Sequence, residues 1–119
     1  MIGMVTALAE AFNFASRQGL DLQAFSEVLA AGPMDSALAR VKTDKLLAKD
    51  FDVQAAITDV IKNTDLVVEA ARDAGVAAPV IDLCSELYHE TDRSGWGHQD
   101  MVAVVKTFEA RSSALGERW

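Results

Sequence analysis

Lys62 is the side chain in this sequence best placed to do chemistry. Steps of three and four residues put it on one helical face with Thr58, Asp65 and Glu69. Spacing alone leaves two readings open: a solvated lysine paired with Asp65 or Thr58, which is the default, or an ammonium serving as a point-charge donor to an anionic group. The other reactive side chains form no constellation. His89 and His98 have no neighbouring nucleophile on a strained turn, so Ser-His-Asp and Cys-His catalysis are excluded and both histidines are expected at the surface. His89, Glu90 and Asp92 are near-contiguous on a helix and point in different directions, so they cannot converge on one metal ion. Cys84 falls on an apolar stripe and reads as a core residue. No glycine-rich loop follows a strand, so a complete dinucleotide site is not encoded. Neither a catalytic group nor a metal site is assigned.

The element that must carry Lys62 runs from Phe51 to Gly75. Val53, Ile57, Val60, Ile61, Thr64, Val67, Val68 and Ala71 recur along one helical face, Asp52 is placed to cap the first turn, and Gly75 to close the last. Before it, Met1 to Gln18 reads as a helix apolar over most of its circumference, with Thr6, Glu10, Asn13 and Arg17 as its polar stripe; such a helix needs several packing partners. Gly19 ends it, and Asp21 caps a helix over Leu22 to Ala31 with Leu22, Phe25, Val28 and Leu29 inward. Gly32-Pro33 breaks the chain ahead of a weaker helical pattern from Met34 to Lys49. Pro79 starts a further helix through Tyr88, Thr91 to Asp100 is a glycine-containing loop, and Asp100 caps a last helix from Met101 to about Arg111 with Val102, Val105 and Phe108 inward. The tail from Ser112 to Trp119 has no strong pattern. Strand-like alternation and internal repeats are absent, which predicts a single all-α domain over residues 1–119.

Composition narrows the function. The 119 residues support one domain and leave no room for a nucleotide-binding sheet domain beside the helical one. A net charge of −7 excludes a broad basic footprint for nucleic acid or an anionic membrane. Lys42, Lys45 and Lys49 do share a helical face, but Asp44 and Asp50 interrupt them, and a solvated face is the expected reading. The apolar N-terminus has no basic region or cleavage site, and Glu10, Asn13 and Arg17 break it well before bilayer length, so neither a signal peptide nor a membrane segment is expected. One cysteine fits a cytoplasmic setting.

Three motifs resemble the β-hydroxyacid dehydrogenases, the 3-hydroxyisobutyrate dehydrogenase family related to 6-phosphogluconate dehydrogenase. Ala9-Glu10-Ala11, Ala15 and Gly19-Leu20-Asp21 keep the spacing of A-E-A-x-x-x-A-x-x-x-G-L-D. Phe51, Lys62-Asn63, Leu66, Ala70-Ala71, Gly75-Val76 and Pro79 resemble the family's F…K-D-L-x-L-A segment and its A-x-x-x-G-V-x-x-P ending, with Asn63 where the family has aspartate and a longer phenylalanine-to-lysine interval than its tightest examples. Gly95, Gly97 and Asp100 match G-x-G-x-x-D ahead of a final helix.

The resemblance implies the family's all-helical C-terminal domain, which forms the dimer interface and one wall of the cleft in an NAD- or NADP-dependent enzyme. It implies that Lys62 reaches the cofactor, where an ammonium suits a phosphate or a nicotinamide ribose, that Asp100 is a structural cap, and that Glu10 belongs to helix packing. The family's catalytic lysine, and the asparagine one turn after it, would fall ahead of Met1, as would the Rossmann domain. The expectation is therefore a homodimerising domain with no dehydrogenase activity and no tight cofactor binding of its own. The alternative is a non-enzymatic helical dimerisation or binding module.

Overall fold

A computed structural model describes residues 1–116. Among these, six α-helices account for nearly all regular structure: α1 (Ile2–Arg17), α2 (Leu22–Ala31), α3 (Ala37–Ala48), α4 (Ile57–Ala74), α5 (Pro79–Thr91) and α6 (Val104–Gly116). A π-helical turn (Asp92–Trp96) and a 3-10 turn (Met101–Ala103) join α5 to α6. The all-α expectation holds.

Predicted signals explain several helix ends: Asp21 accepts from the Gln23 and Ala24 amides and Asp100 from Val102. Ser36, a cap not anticipated, accepts from Ala39 and sets the start of α3. Gly75, at φ 68°, lets the Val76 amide reach back to the Ala71 carbonyl and close α4. α3 ends the same way without a glycine: Lys49 adopts φ 51° while the Asp50 amide bonds the Lys45 carbonyl.

α1 is the central helix. It packs against α2, α3, α5 and α6, as its broad apolar circumference requires. Val5, Ala9, Phe12 and Ala15 are buried in it, and Phe12 meets Phe25 of α2 edge to face at 5.2 Å between ring centroids. Part of its polar stripe is tied to other helices. The Thr6 hydroxyl lies 3.1 Å from that of the fully buried Tyr88, while Asn13 donates to Ser112 and Arg17 to Ser113. Glu10 is exposed and takes no part in the packing expected of it. α4 and α5 form a hairpin whose inner surface holds Ile57, Val60, Ile61, Thr64, Cys84, Leu87 and Tyr88.

Several expectations fail. α4 begins at Ile57, not beside Asp52, and its N-cap Ala56 supplies no side-chain bond. Asp52 instead gives its amide to Asp50 and its carbonyl to Lys45, and residues 51–56 run as a connector toward residues 97–101. Val53 lies on that connector and is exposed, as are Val28 and Val67, because one narrow stripe of each helix meets the core. The predicted third helix is shorter, leaving Met34 outside it at 80% exposure. The stretch read as a loop from Thr91 extends α5 by a wide turn until Gly95 breaks it at φ 98°. The tail is helical to Gly116; its last three residues lie outside the described part.

Candidate functional site

Lys62 sits in the second turn of α4 and is 77% exposed. Its ammonium meets Asp59 at 3.8 Å, not Asp65 or Thr58. Asp65 is engaged across the hairpin, where it accepts from Ser85 and holds His89 Nε2 at 2.9 Å; the His89 bond, with help from Ser85, keeps its carboxyl below the usual range. An exposed pair of the Lys62–Asp59 kind holds its side chains weakly, so the ammonium is free to reach outward. Exposed Leu66 lies one turn further along the same face.

What fixes α4 lies beneath Lys62. The amides of Ile57 and Thr58 donate to the carbonyls of Gln99 and Gly97 at 2.9 and 3.1 Å, so the helix start is capped by backbone from the α5–α6 connection. The Asp100 amide donates to Phe51 and the Met101 amide to Ala55, completing a zipper between residues 51–58 and 97–101. The G-x-G-x-x-D spacing now has physical reasons. Gly95 takes a positive φ, a Cβ on Gly97 would run into the Asp92 carboxylate and the Thr58 methyl, and Asp100 is wholly buried beneath the zipper.

Asp100 does far more than cap. One oxygen accepts from the Gln54 and Ala55 amides at 2.9 and 3.0 Å, the other from Val102 at 3.1 Å, and Lys42 Nζ lies 3.1 and 3.2 Å from the two. Burial pushes the carboxyl pKa upward, but these donors outweigh it and hold it below the usual range. Lys42 is 3% exposed, and Lys45, also buried, donates to the Asp52 carbonyl at 2.7 Å and meets Asp50 at 3.4 Å. The solvated lysine face expected on α3 is therefore a buried basic strip, and only Lys49 faces solvent. Its partners are up to 58 residues away, beyond any helical period.

A second lysine missed by sequence reasoning braces the other side. Lys106 Nζ stands 3.7 Å from the Trp96 ring centroid and 4.1 Å from that of Phe51, and donates to Gln99 at 2.7 Å. Phenylalanine and tryptophan flanking the zipper segments were the available signal, but nothing local pairs them with α6.

The remaining candidates divide as the spacing predicts. Cys84 is buried, and His98 is exposed. His89 turns to Asp65 while Glu90 turns to Arg111 in a two-pronged pair, so these neighbours diverge. Of the concave surfaces that border α1, two are notable. An apolar cleft of about 490 Å³, walled by Met4, Leu8, Leu29 and Met34, lies against α2 and α3. A wider groove of about 1080 Å³ runs between α1, α5 and α6 past Phe14, Leu20, Leu83 and Leu115, all more than half exposed. No helix among the described residues is long and apolar enough to cross a membrane.

Known proteins share this fold. The family model described as NAD-binding of NADP-dependent 3-hydroxyisobutyrate dehydrogenase matches residues 1–108. A probable 3-hydroxyisobutyrate dehydrogenase-like protein of Arabidopsis thaliana is 26% identical over 92% of this chain and 31% of its own length. The cytokine-like nuclear factor N-PAC of Aedes aegypti is 29% identical over 85% of this chain and 18% of its own. In structure, the fold matches 3-hydroxyisobutyrate dehydrogenase of Salmonella typhimurium with a TM-score of 0.85 at 22% identity, over 89% of this chain and 37% of that one. The chain thus spans about a third or less of the length of these relatives. With the match extending from the first residue through Phe108 in α6, the chain belongs to the β-hydroxyacid dehydrogenase family and corresponds to its all-helical C-terminal domain.

Proposed function

We propose that this chain is the assembly and cofactor-side domain of an NAD(P)-dependent β-hydroxyacid dehydrogenase-like oxidoreductase, with Lys62 as its cofactor contact. The carrying observation is the state of Lys62: exposed, held only by a loose ion pair, and mounted on a helix start that is pinned by backbone bonds. These residues fit the group. A mobile ammonium beside exposed Leu66 offers one charged donor and one apolar surface, which suits a ribose or phosphate oxygen on the edge of a dinucleotide. The nicotinamide, when bound, supplies hydride transfer. Lys62 contributes binding and orientation, while a Rossmann domain supplies the rest of the site and no proton-transfer group is assigned within this chain.

The test is titration of the isotopically labelled chain with NADH and NADPH at millimolar concentration. Amide shifts confined to the neighbourhood of Lys62, lost in Lys62→Gln, are expected; unaltered spectra with both dinucleotides would refute the assignment.

Self-association through the groove between α1, α5 and α6 belongs to the same reading, because Phe14, Leu20, Leu83 and Leu115 present apolar surface along one continuous depression. Light scattering should give a dimer mass that Phe14→Glu lowers to that of a monomer. A cytoplasmic setting fits the single reduced, buried cysteine. The alternative, a non-enzymatic helical module, draws on the relative named as a nuclear factor rather than as a dehydrogenase. Dimerisation without any dinucleotide response would favour it.

A further inference from the structure

We infer that Lys42 and Asp100 are positioning residues for Lys62, a role that rests on the cofactor reading above and adds to it the device that sets the lysine in place. Lys62 has almost no packing of its own: 77% of its side chain is exposed and its one ion pair is 3.8 Å long. Its location is therefore inherited from α4. The core face of α4 fixes how the helix lies against α5, but its start is set by residues 51–58, and these are held by hydrogen bonds converging on one buried carboxylate. Asp100 takes the Gln54 and Ala55 amides on one side and the Val102 amide on the other, so it joins two segments 46 residues apart at a single point. Lys62 follows Thr58, the last zippered residue, by four positions, about one turn and 6 Å of helix rise.

Stability alone does not explain why the carboxylate is paired with Lys42. A buried ion pair, here 3% and 0% exposed, costs desolvation that an apolar pair of similar volume avoids. Its distinctive property is geometric. The ammonium contacts both carboxylate oxygens and lies 3.4 Å from Gln54 Oε1, which fixes the orientation of the plane that receives the three amides. Without Lys42 the carboxylate keeps its amide donors but loses the contact that orients it, and residues 54–58 gain freedom that Lys62 shares.

The experiment compares the wild-type chain, Lys42→Met, and the neutral double variant Lys42→Met/Asp100→Asn, each at a temperature where circular dichroism shows it folded. Two readouts are needed. Amide hydrogen exchange at Gln54, Ala55, Ile57 and Thr58 should rise at least tenfold more in Lys42→Met than exchange at Leu87 and Tyr88 in the α5 core. The shift of Lys62 on NADH titration should require at least fivefold more NADH. The double variant removes the lone buried charge without restoring the contact that orients residue 100, and it turns an amide NH2 toward the Val102 N–H, so it should recover neither; recovery of both would show that the uncompensated charge, and not lost orientation, was at work. Uniform loss of protection across α4 and α5, or an unchanged NADH response despite local opening, would overturn the positioning role. Failure of the wild-type chain to respond to NADH would instead overturn the cofactor reading, which the hydrogen-exchange comparison does not depend on.

Discussion

Replacing Asp100 by alanine should be far more damaging than replacing its partner Lys42 by methionine, although both substitutions break the same ion pair. In Lys42→Met the carboxylate stays charged but still accepts from the amides of Gln54, Ala55 and Val102. Its charge is compensated by three donors, so the cost lies near the lower end for breaking a buried pair, about 3 kcal/mol. In Asp100→Ala the ammonium of a 3% exposed lysine is left with only Gln54 Oε1 at 3.4 Å. That places the pair term near the upper end, about 5 kcal/mol, and each of the three bared amides adds about 1 kcal/mol. The sum of about 8 kcal/mol is comparable with the whole stability of a domain of this size, about 5–15 kcal/mol. Urea denaturation followed by circular dichroism decides the matter. Lys42→Met should remain cooperative with a midpoint about 1.5 M lower, at a slope of about 2 kcal/mol/M. Asp100→Ala should be unfolded or nearly so before urea is added. Equal costs, or a well-folded Asp100→Ala, would show that the backbone bonds to Asp100 contribute little and would refute the reasoning.

Acid should destabilise the domain in a defined window. Hydrogen bonds hold the Asp65 carboxyl low through His89 and that of Glu90 through Arg111, while for Asp100 the backbone donors and Lys42 overcome the upward push of burial. All three have folded pKa values below their unfolded ones, so the unfolded chain binds more protons; their contribution is complete above about pH 4–5 and is lost as pH falls through the folded values. The urea midpoint should be level from pH 7 to 5 and fall below about pH 4, and a midpoint constant down to pH 2 would contradict this. Backbone strain predicts opposite signs at two exposed positions: Gly95→Ala at φ 98° should cost about 1–2 kcal/mol, and Lys49→Gly at φ 51° should gain up to about 1 kcal/mol. Thermal unfolding measures both, and a stabilising Gly95→Ala would be incompatible with the described turn.

Sequence periodicity carried the fold because the fold is built from local signals. The caps at Asp21 and Asp100 and the closing Gly75 lie within a few residues of the backbone they serve, and the inward stripe Ile57, Val60, Ile61 and Thr64 repeats within one helix. Where the reading went wrong, a contact outside the helical period had displaced the expected one. Asp52 looked like a cap because acidic residues favour helix starts, but Lys45 and Asp50 claim its backbone, and helix formation waits until Ile57. Lys42 and Lys45 looked solvated because charge placement on a helix reveals no partner 58 residues ahead. The outward face of Lys62 was legible from its place in the helical period, whereas the zipper that mounts it was not.

The clamp around Lys106 offers a test of the zipper that does not pass through Asp100. Phe51 opens the first zipper segment and Trp96 precedes the second, and the ammonium between their rings ties both to α6 while Gln99, whose carbonyl caps Ile57, accepts its hydrogen bond. Methionine at this position would keep much of the packing and remove both the charge and the donor. Each of the two cation–π contacts is worth about 0.5–1 kcal/mol at a partly exposed site, and a hydrogen bond involving a charged group about 1.5–3 kcal/mol, so Lys106→Met should cost about 2.5–5 kcal/mol with the hydrogen bond as the larger share. Lys106→Arg, which retains charge, ring stacking and donors, should recover more than half of that. If the clamp braces the zipper, exchange of the Ile57 amide should quicken in Lys106→Met more than that of Val60, three residues further along α4. If both amides respond alike, Lys106 stabilises the domain only as a whole, and the mounting of Lys62 falls to Asp100 and the backbone alone.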